Sequence, residues 1–318
     1  MPLPIHSDAL SVFKGVNMRR LEAILGKDHP SLVSLLKDCC LLPTERRCSK
    51  CGKECFTFND KTNWAGYSFQ CIDKACKKRS SSMTSTFFSR AKISPDDVLR
   101  LLYYFSREEY KYDKLKHEMA RDDGRTLGDH SIADWISFFR EVCAVAIEEN
   151  HQLIGGVGRT VQIDESCFVK YKHNRGLRLA KQRWVFGGVD KDDKTQFFAC
   201  VVERRNKKTL LPLIQANIAP GTKIVSDGWA AYKHIEKLPQ GYTHSVVNHK
   251  LHFKDPVTGD HTNHIEGAWM HMKQPLKRAH GRARSTLIPS LNEFIFRRRY
   301  ADIDIFHALL VHITRVYD

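Results

Sequence analysis

The chain has 318 residues, of which 42% are hydrophobic, and a formal charge of +15; its pI is near 9.4. That length suits two or three modules with packed cores, and the charge points to a polyanionic partner, nucleic acid ahead of an anionic membrane surface. No run of about 18 apolar residues marks a membrane-spanning helix, and Met1-Pro2-Leu3-Pro4-Ile5-His6 lacks the regions of a signal peptide, so the ten cysteines read as metal ligands or core residues in a reducing compartment, not as a disulfide scaffold.

Residues 1–43 read as a helical segment. Asp28 and Pro30 signal a helix start, and Leu32, Leu35, Leu36 and Cys39 share one face. Cys39 and Cys40 are expected to be small core residues. Residues 44–90 change character. Cys48-Ser49-Lys50-Cys51 precedes aromatic residues with polar spacers, and Cys71-Ile72-Asp73-Lys74-Ala75-Cys76 follows. Two cysteine pairs joined by two short strands make a zinc ribbon, in which four thiolates close a tetrahedral site around one structural Zn²⁺. Cys48, Cys51, Cys71 and Cys76 are the expected ligands, with Cys55 as an alternative fourth. Lys74, Lys77, Lys78 and Arg79 suit phosphate contact or form a solvated turn.

Residues 91–154 read as a helical DNA-binding module. Ser94-Pro95-Asp96-Asp97 offers a cap, a first-turn proline and early acids. A charged helix over 107–121, a turn at Gly124 and Gly128, and a long helix from Ser131 are compatible with a helix-turn-helix. Gly155-Gly156-Val157-Gly158 then makes a hinge.

Residues 157–301 read as a mixed α/β domain. Strands are expected at 160–164, 183–189 and 196–202, a helix near 207–218, a strand at 222–226, a short helix near 229–236 and a strand at 243–247. That order is the order of a ribonuclease H-like fold, in which the first and fourth strands lie side by side. Residues 249–262 read as a loop carrying His249, His252 and His261. A helix begins near Asn263, with Ile265, Trp269, Met272 and Leu276 on its buried stripe and a kink or end at Pro275. Residues 302–318 form a C-terminal helical tail.

Three acids stand out. Asp164 ends the apolar run Val161-Gln162-Ile163-Asp164, Asp227 ends Lys223-Ile224-Val225-Ser226-Asp227, and Glu266 opens the helix Asn263-His264-Ile265-Glu266. Each has an ordinary explanation: a strand-end acid, an Asp-Gly turn, a variant capping box. Jointly they place two acids at neighbouring strand ends and one at a helix start. Glu165 points to the opposite face of a regular strand. Two divalent cations about 3.5–4 Å apart serve in-line displacement at phosphodiesters, and such hard ions take oxygen ligands. Lys273, Lys277, Arg278, Arg282 and Arg284, and later Arg297, Arg298 and Arg299, suit contact with a nucleic-acid backbone or a solvated surface.

Val161-Gln162-Ile163-Asp164-Glu165, Val225-Ser226-Asp227-Gly228-Trp229, His264-Ile265-Glu266-Gly267 and Leu291-Asn292-Glu293-Phe294-Ile295-Phe296-Arg297 resemble the Merlin superfamily of DNA transposases and the related bacterial ISXO-like insertion-sequence transposases. The cysteine pairs and Asp134-Trp135-Ile136-Ser137-Phe138-Phe139-Arg140-Glu141-Val142-Cys143 resemble that family's N-terminal half. The resemblance implies a ribonuclease H-like domain with Asp164, Asp227 and Glu266 as a DDE triad holding two Mg²⁺ or Mn²⁺ ions. It implies cut-and-paste transposition of an element with terminal inverted repeats, on double-stranded DNA, by a homodimer or larger assembly. The basic loop between 165 and 183 departs from the glycine-rich loop of many relatives. A Merlin-like eukaryotic origin implies the nucleus, a bacterial one the cytoplasm. The alternatives are a domesticated DNA-binding protein without catalysis and a simple nuclease.

Overall fold

The computed structural model describes residues 8–169, 182–247, 259–278 and 287–317, with residues 169 and 275–278 described in backbone only. The chain divides into a unit of Met1–Val145 with Asp302–Asp318 and a unit of Ala146–Ala301.

In the first unit a 3-10 turn (Asp8–Phe13) leads to α1 (Met18–Leu25) and α2 (His29–Asp38). The side chains of Asn17 and Asp28 accept the backbone N–H groups of Arg20 and Ser31, pairing donors that a helix start leaves open. Leu32, Leu36 and Cys39 are buried, but Cys40 is exposed and is no core residue. It sits just past α2 with φ 57°, where the chain reverses and the Leu41 N–H bonds back to the Leu36 carbonyl; this left-handed turn faces solvent.

A three-stranded antiparallel sheet follows, β1 (Cys55–Asn59), β2 (Tyr67–Cys71) and β3 (Arg79–Ser81) in that order, one strand more than the sequence suggests. Next come α3 (Pro95–Ser106), α4 (Tyr112–Glu118) and α5 (Asp129–Glu149). Ser94 occupies the N-cap position of α3 without a side-chain capping bond. The charged helix is shorter than 107–121. Residues 119–128 separate α4 from α5, a longer link than the roughly 3–4-residue turn of a helix-turn-helix. The C-terminal helix (Ile305–Val316) is no detached tail: Phe306 packs edge-on against Phe13 and Tyr103, and Asp304 accepts the Gly15 N–H at 2.7 Å.

The second unit is built on β4 (Thr160–Val169), β5 (Arg183–Asp190), β6 (Phe197–Val202), α6 (Lys207–Asn217), β7 (Lys223–Asp227) and β8 (Thr243–Val247), then α7 (Asn263–Arg278) and α8 (Leu287–Arg299). The mixed sheet runs β6-β5-β4-β7-β8; β4 pairs antiparallel with β5 and parallel with β7. One face packs Val161, Ile163 and Phe186 against Leu210 and Ile214 of α6 and against Tyr232. The other packs Val185, Val189 and Phe197 against Ile265, Trp269 and Met272 of α7 and Leu291 and Ile295 of α8. The strand alternation that buries both faces sends Val161 and Ile163 one way and Gln162 and Asp164 the other.

Between β7 and β8 the expected short helix is instead two 3-10 turns, Ala230–Tyr232 and Ile235–Lys237. Helix α7 does not end at Pro275 but runs to Arg278. An interior proline costs about 3 kcal/mol; burial of Ile265, Ala268, Trp269 and Met272 offsets it.

Candidate functional site

In the first unit the four predicted thiols converge. Cys48 and Cys76 sulfurs lie 3.7 Å apart, Cys51 and Cys71 sulfurs 3.4 Å apart, and all four lie within 4.8 Å of one another. A tetrahedron with bonds of about 2.3 Å has edges of about 3.8 Å, so the set fits one zinc ion. Cys55 is outside this group. The Lys50 and Asp73 N–H groups point at the Cys48 and Cys71 sulfurs, each at 3.4 Å. The amides of Lys50 and Cys51 draw the Cys48 thiol down to about 6, toward the thiolate that binds metal, whereas burial pushes the Cys71 thiol up to about 12. Arg79 is exposed; its Nε–H donates to Gln70 Oε1 at 2.8 Å and its guanidinium lies over the Phe58 ring.

The second unit brings the acids together at the sheet. The register Thr160↔Lys223, Val161↔Ile224, Gln162↔Val225, carried two residues further, sets Asp164 level with Asp227. Glu266, in the first turn of α7, adds its charge to the same neighbourhood. Burial pushes the Asp164 carboxyl up to about 6, and the charges of Asp227 and Glu266 push the same way. The Trp269 indole opposes them, donating Nε1–H to Asp164 Oδ2 at 3.1 Å. Asp227 Oδ1 accepts the Trp229 N–H at 3.0 Å, and Glu266 Oε1 accepts the Thr262 hydroxyl at 3.1 Å. The three carboxylates do not close into a group as tight as the thiols, which alone among the described residues form one. Unneutralised carboxylates repel, and a two-cation site is in any case wider than a single-ion site.

Glu165 lies on the opposite face beside Tyr232. Burial pushes it up to about 7, and neither its buried Oε1 nor the Tyr232 hydroxyl reaches hydrogen-bond geometry. Lys273 donates to Ser166 Oγ at 2.6 Å and lies over the Phe168 ring, one strand repeat beyond Asp164.

Two positioning residues escape a reading by motif. Gln162 is 1% exposed in a central strand. Its Oε1 accepts the His264 N–H at 3.0 Å and the Ile265 N–H at 3.3 Å, fixing the start of α7, and so Glu266, against β4. The signal was an amide inside the run Val161-Gln162-Ile163: a buried amide must find partners. Gly187 pairs with Asp164 across β4 and β5. A Cβ there would meet the Phe198 carbonyl oxygen at 2.6 Å and the Trp269 ring at 2.7 Å, so only glycine lets the indole reach Asp164.

Residues 154–299 match the ISXO2-like transposase domain. The match spans nearly all of the second unit, which is similar to ISXO2-like transposase domains. No curated protein matches the chain.

Around the second unit's acids the basic residues divide. Arg282 and Arg284 lie outside the described residues, as do the side chains of Lys277 and Arg278, His249 and His252, and most of the basic loop after β4. Arg297, Arg298 and Arg299 form no free basic stripe. Arg297 pairs with Glu293 at 2.9 Å, Arg298 lies over Phe197, and Arg299 donates to the Asn150 carbonyl at 2.9 Å. Burial lowers the pKa of Arg298 and of Arg299.

Proposed function

We propose that the protein is a DDE transposase that cuts DNA at the terminal inverted repeats of its element and joins the freed ends to target DNA, using a ribonuclease H-like catalytic unit. The observation that carries this reading is the parallel pairing of β4 with β7, with the charges of Asp227 and of Glu266, from α7, both acting on Asp164. The strand order, three antiparallel strands followed by two parallel additions on the first, supports the fold. Glutamate as the third acid agrees with the Merlin pattern.

Asp164, Asp227 and Glu266 are hard oxygen donors whose crowded negative charge suits two Mg²⁺ or Mn²⁺ ions, which when bound supply activation of the attacking oxygen and stabilisation of the leaving oxygen. Trp269 and Gly187 orient the Asp164 carboxylate, Gln162 and Thr262 hold Glu266 in register, and Lys273 supplies a cation beside the scissile phosphate. Water attacks first and leaves a 3′-OH at the element end; that 3′-OH then attacks a target phosphodiester. The first unit, braced by Zn²⁺ on Cys48, Cys51, Cys71 and Cys76, binds element ends, with affinity falling steeply with salt. Synapsis of two ends calls for a dimer or larger assembly, in a nucleus for a Merlin-like host or in the cytoplasm of a bacterium.

The test is a strand-transfer assay on DNA from the borders of the gene with Mg²⁺ or Mn²⁺. Asp227→Asn is expected to abolish joined products and keep DNA binding. It is a cleaner control than EDTA, which also strips the thiol site. Equal joining by the variant overturns the triad. Cleavage without joining indicates a nuclease, and binding without chemistry in both proteins indicates a domesticated DNA-binding protein.

A further inference from the structure

Trp229 has an unusual position. It is the most exposed of the five tryptophans, at 40%, although large aromatic side chains are buried on average. It stands two residues after Asp227, and both of its N–H groups are committed. The backbone N–H is held by Asp227 Oδ1 at 3.0 Å and the indole Nε1–H by the Arg205 carbonyl at 2.9 Å. The ring is therefore oriented by its polar edge while much of its surface faces water. The Arg205 guanidinium lies 3.5 Å from the centre of the Trp184 ring and 5.0 Å from that of Trp229. A planar cation thus sits between two indoles at the end of the sheet that carries the acids.

A core role does not account for the 40% of Trp229 that stays exposed. Salt-bridge anchoring does not account for it either: among the described residues no carboxylate pairs with Arg205 within 4.0 Å, although its charge acts on Glu165. An indole with an accessible surface and an adjacent cation matches the chemistry of an unpaired nucleobase with its phosphate: every base has a π-face, and arginine adds attraction for the phosphate and the ring. A base inside a duplex has both faces covered by its neighbours. Only a frayed or extruded nucleotide can present one, and chemistry at a strand end benefits from holding such a nucleotide still. We propose that Trp229, braced by Arg205 and Trp184, is a stacking platform for a nucleobase unpaired from the DNA end next to the scissile phosphate. This rests on the DNA-cutting role assigned above to Asp164, Asp227 and Glu266.

The test uses the full chain and border duplexes ending in a few unpaired nucleotides, one of them 5-iodouracil. Irradiation links that base to an aromatic ring stacked on it, and mass spectrometry of the linked peptide reads the site. The expected link is at Trp229. Trp229→Leu should lose it and bind the frayed duplex about 5- to 150-fold more weakly, with binding of the fully paired duplex unchanged; Trp229→Phe should restore both. Links at other residues, or equal losses for frayed and paired DNA, overturn the platform. Cleavage of the same duplexes by the wild-type protein is scored separately. If they are cut but the link lies elsewhere, the platform alone fails; if they are neither bound nor cut, the functional reading fails and the platform with it.

Discussion

Asp164→Asn tests the electrostatics of the acid cluster directly. Burial, then the charges of Asp227 and Glu266, lifts the Asp164 pKa from 3.8 to about 6. At about 1.36 kcal/mol per pH unit, a charged Asp164 costs the fold about 3 kcal/mol at neutral pH. The direction follows from proton binding. Through the window between the two pKa values the folded state keeps a proton that the unfolded chain has lost. Stability from this group is complete below about pH 4, drains as pH rises and is lost above about pH 6. Asparagine keeps an oxygen for Trp269 Nε1–H and carries no charge, so it should stabilise the unit of Ala146–Ala301 at neutral pH while ending strand transfer. For a unit of this size, about 3 kcal/mol corresponds to a Tm rise of about 6–12 °C. Calorimetry in buffer freed of divalent ions, without chelator, follows that unit's transition for both proteins across pH. The gap between them should close in acid. Added Mg²⁺ should narrow it at neutral pH, because a bound cation offsets the repulsion in the wild type alone. A variant no more stable than wild type, or a gap that persists in acid, refutes the burial argument; a gap indifferent to Mg²⁺ refutes the cation site and leaves the burial argument standing.

Gln162→Leu keeps bulk in the sheet but leaves the His264 and Ile265 N–H groups without their acceptor. Urea denaturation should show a loss of about 1–3 kcal/mol, and strand transfer should fall because Glu266 loses its register; unchanged stability would remove Gln162 from its positioning role. Cys71→Ser should take bound zinc from one ion per chain to none and open residues 46–81 to proteolysis, since binding and folding are coupled at a thiolate site. Full zinc occupancy in that variant would exclude Cys71 as a ligand and bring Cys55 forward.

Much of the second unit was readable in one dimension. Apolar alternation marks β4, β5, β6, β7 and β8 in their order, and Asp164 and Asp227 stand where two of those runs stop. The four cysteines were readable for a similar reason: thiolates are rarely used in such pairs without a metal, and the strands between them are short. These features are local, written by neighbours within a few residues. Boundaries that depend on distant atoms were not readable. β4 runs on to Val169 because β5 continues to pair with it through a register shift, and Cys40 faces solvent because the chain reverses after α2. The pairing of Arg297, Arg298 and Arg299 with the unit's own groups is equally invisible in a run of three like charges.

The sequence alone determined which residue types stand at the strand ends, that the thiols come in two pairs, and that the protein is strongly basic. Tertiary structure alone decided that Gln162 ties α7 to β4, that the missing side chain of Gly187 admits the Trp269 indole to Asp164, and that the C-terminal helix closes the first unit through Phe306. The reason is physical. Periodicity records what each residue does with its own helix or strand, whereas a buried amide, a vacant Cβ and an indole N–H acquire their roles from partners up to a hundred residues or more away, chosen by packing.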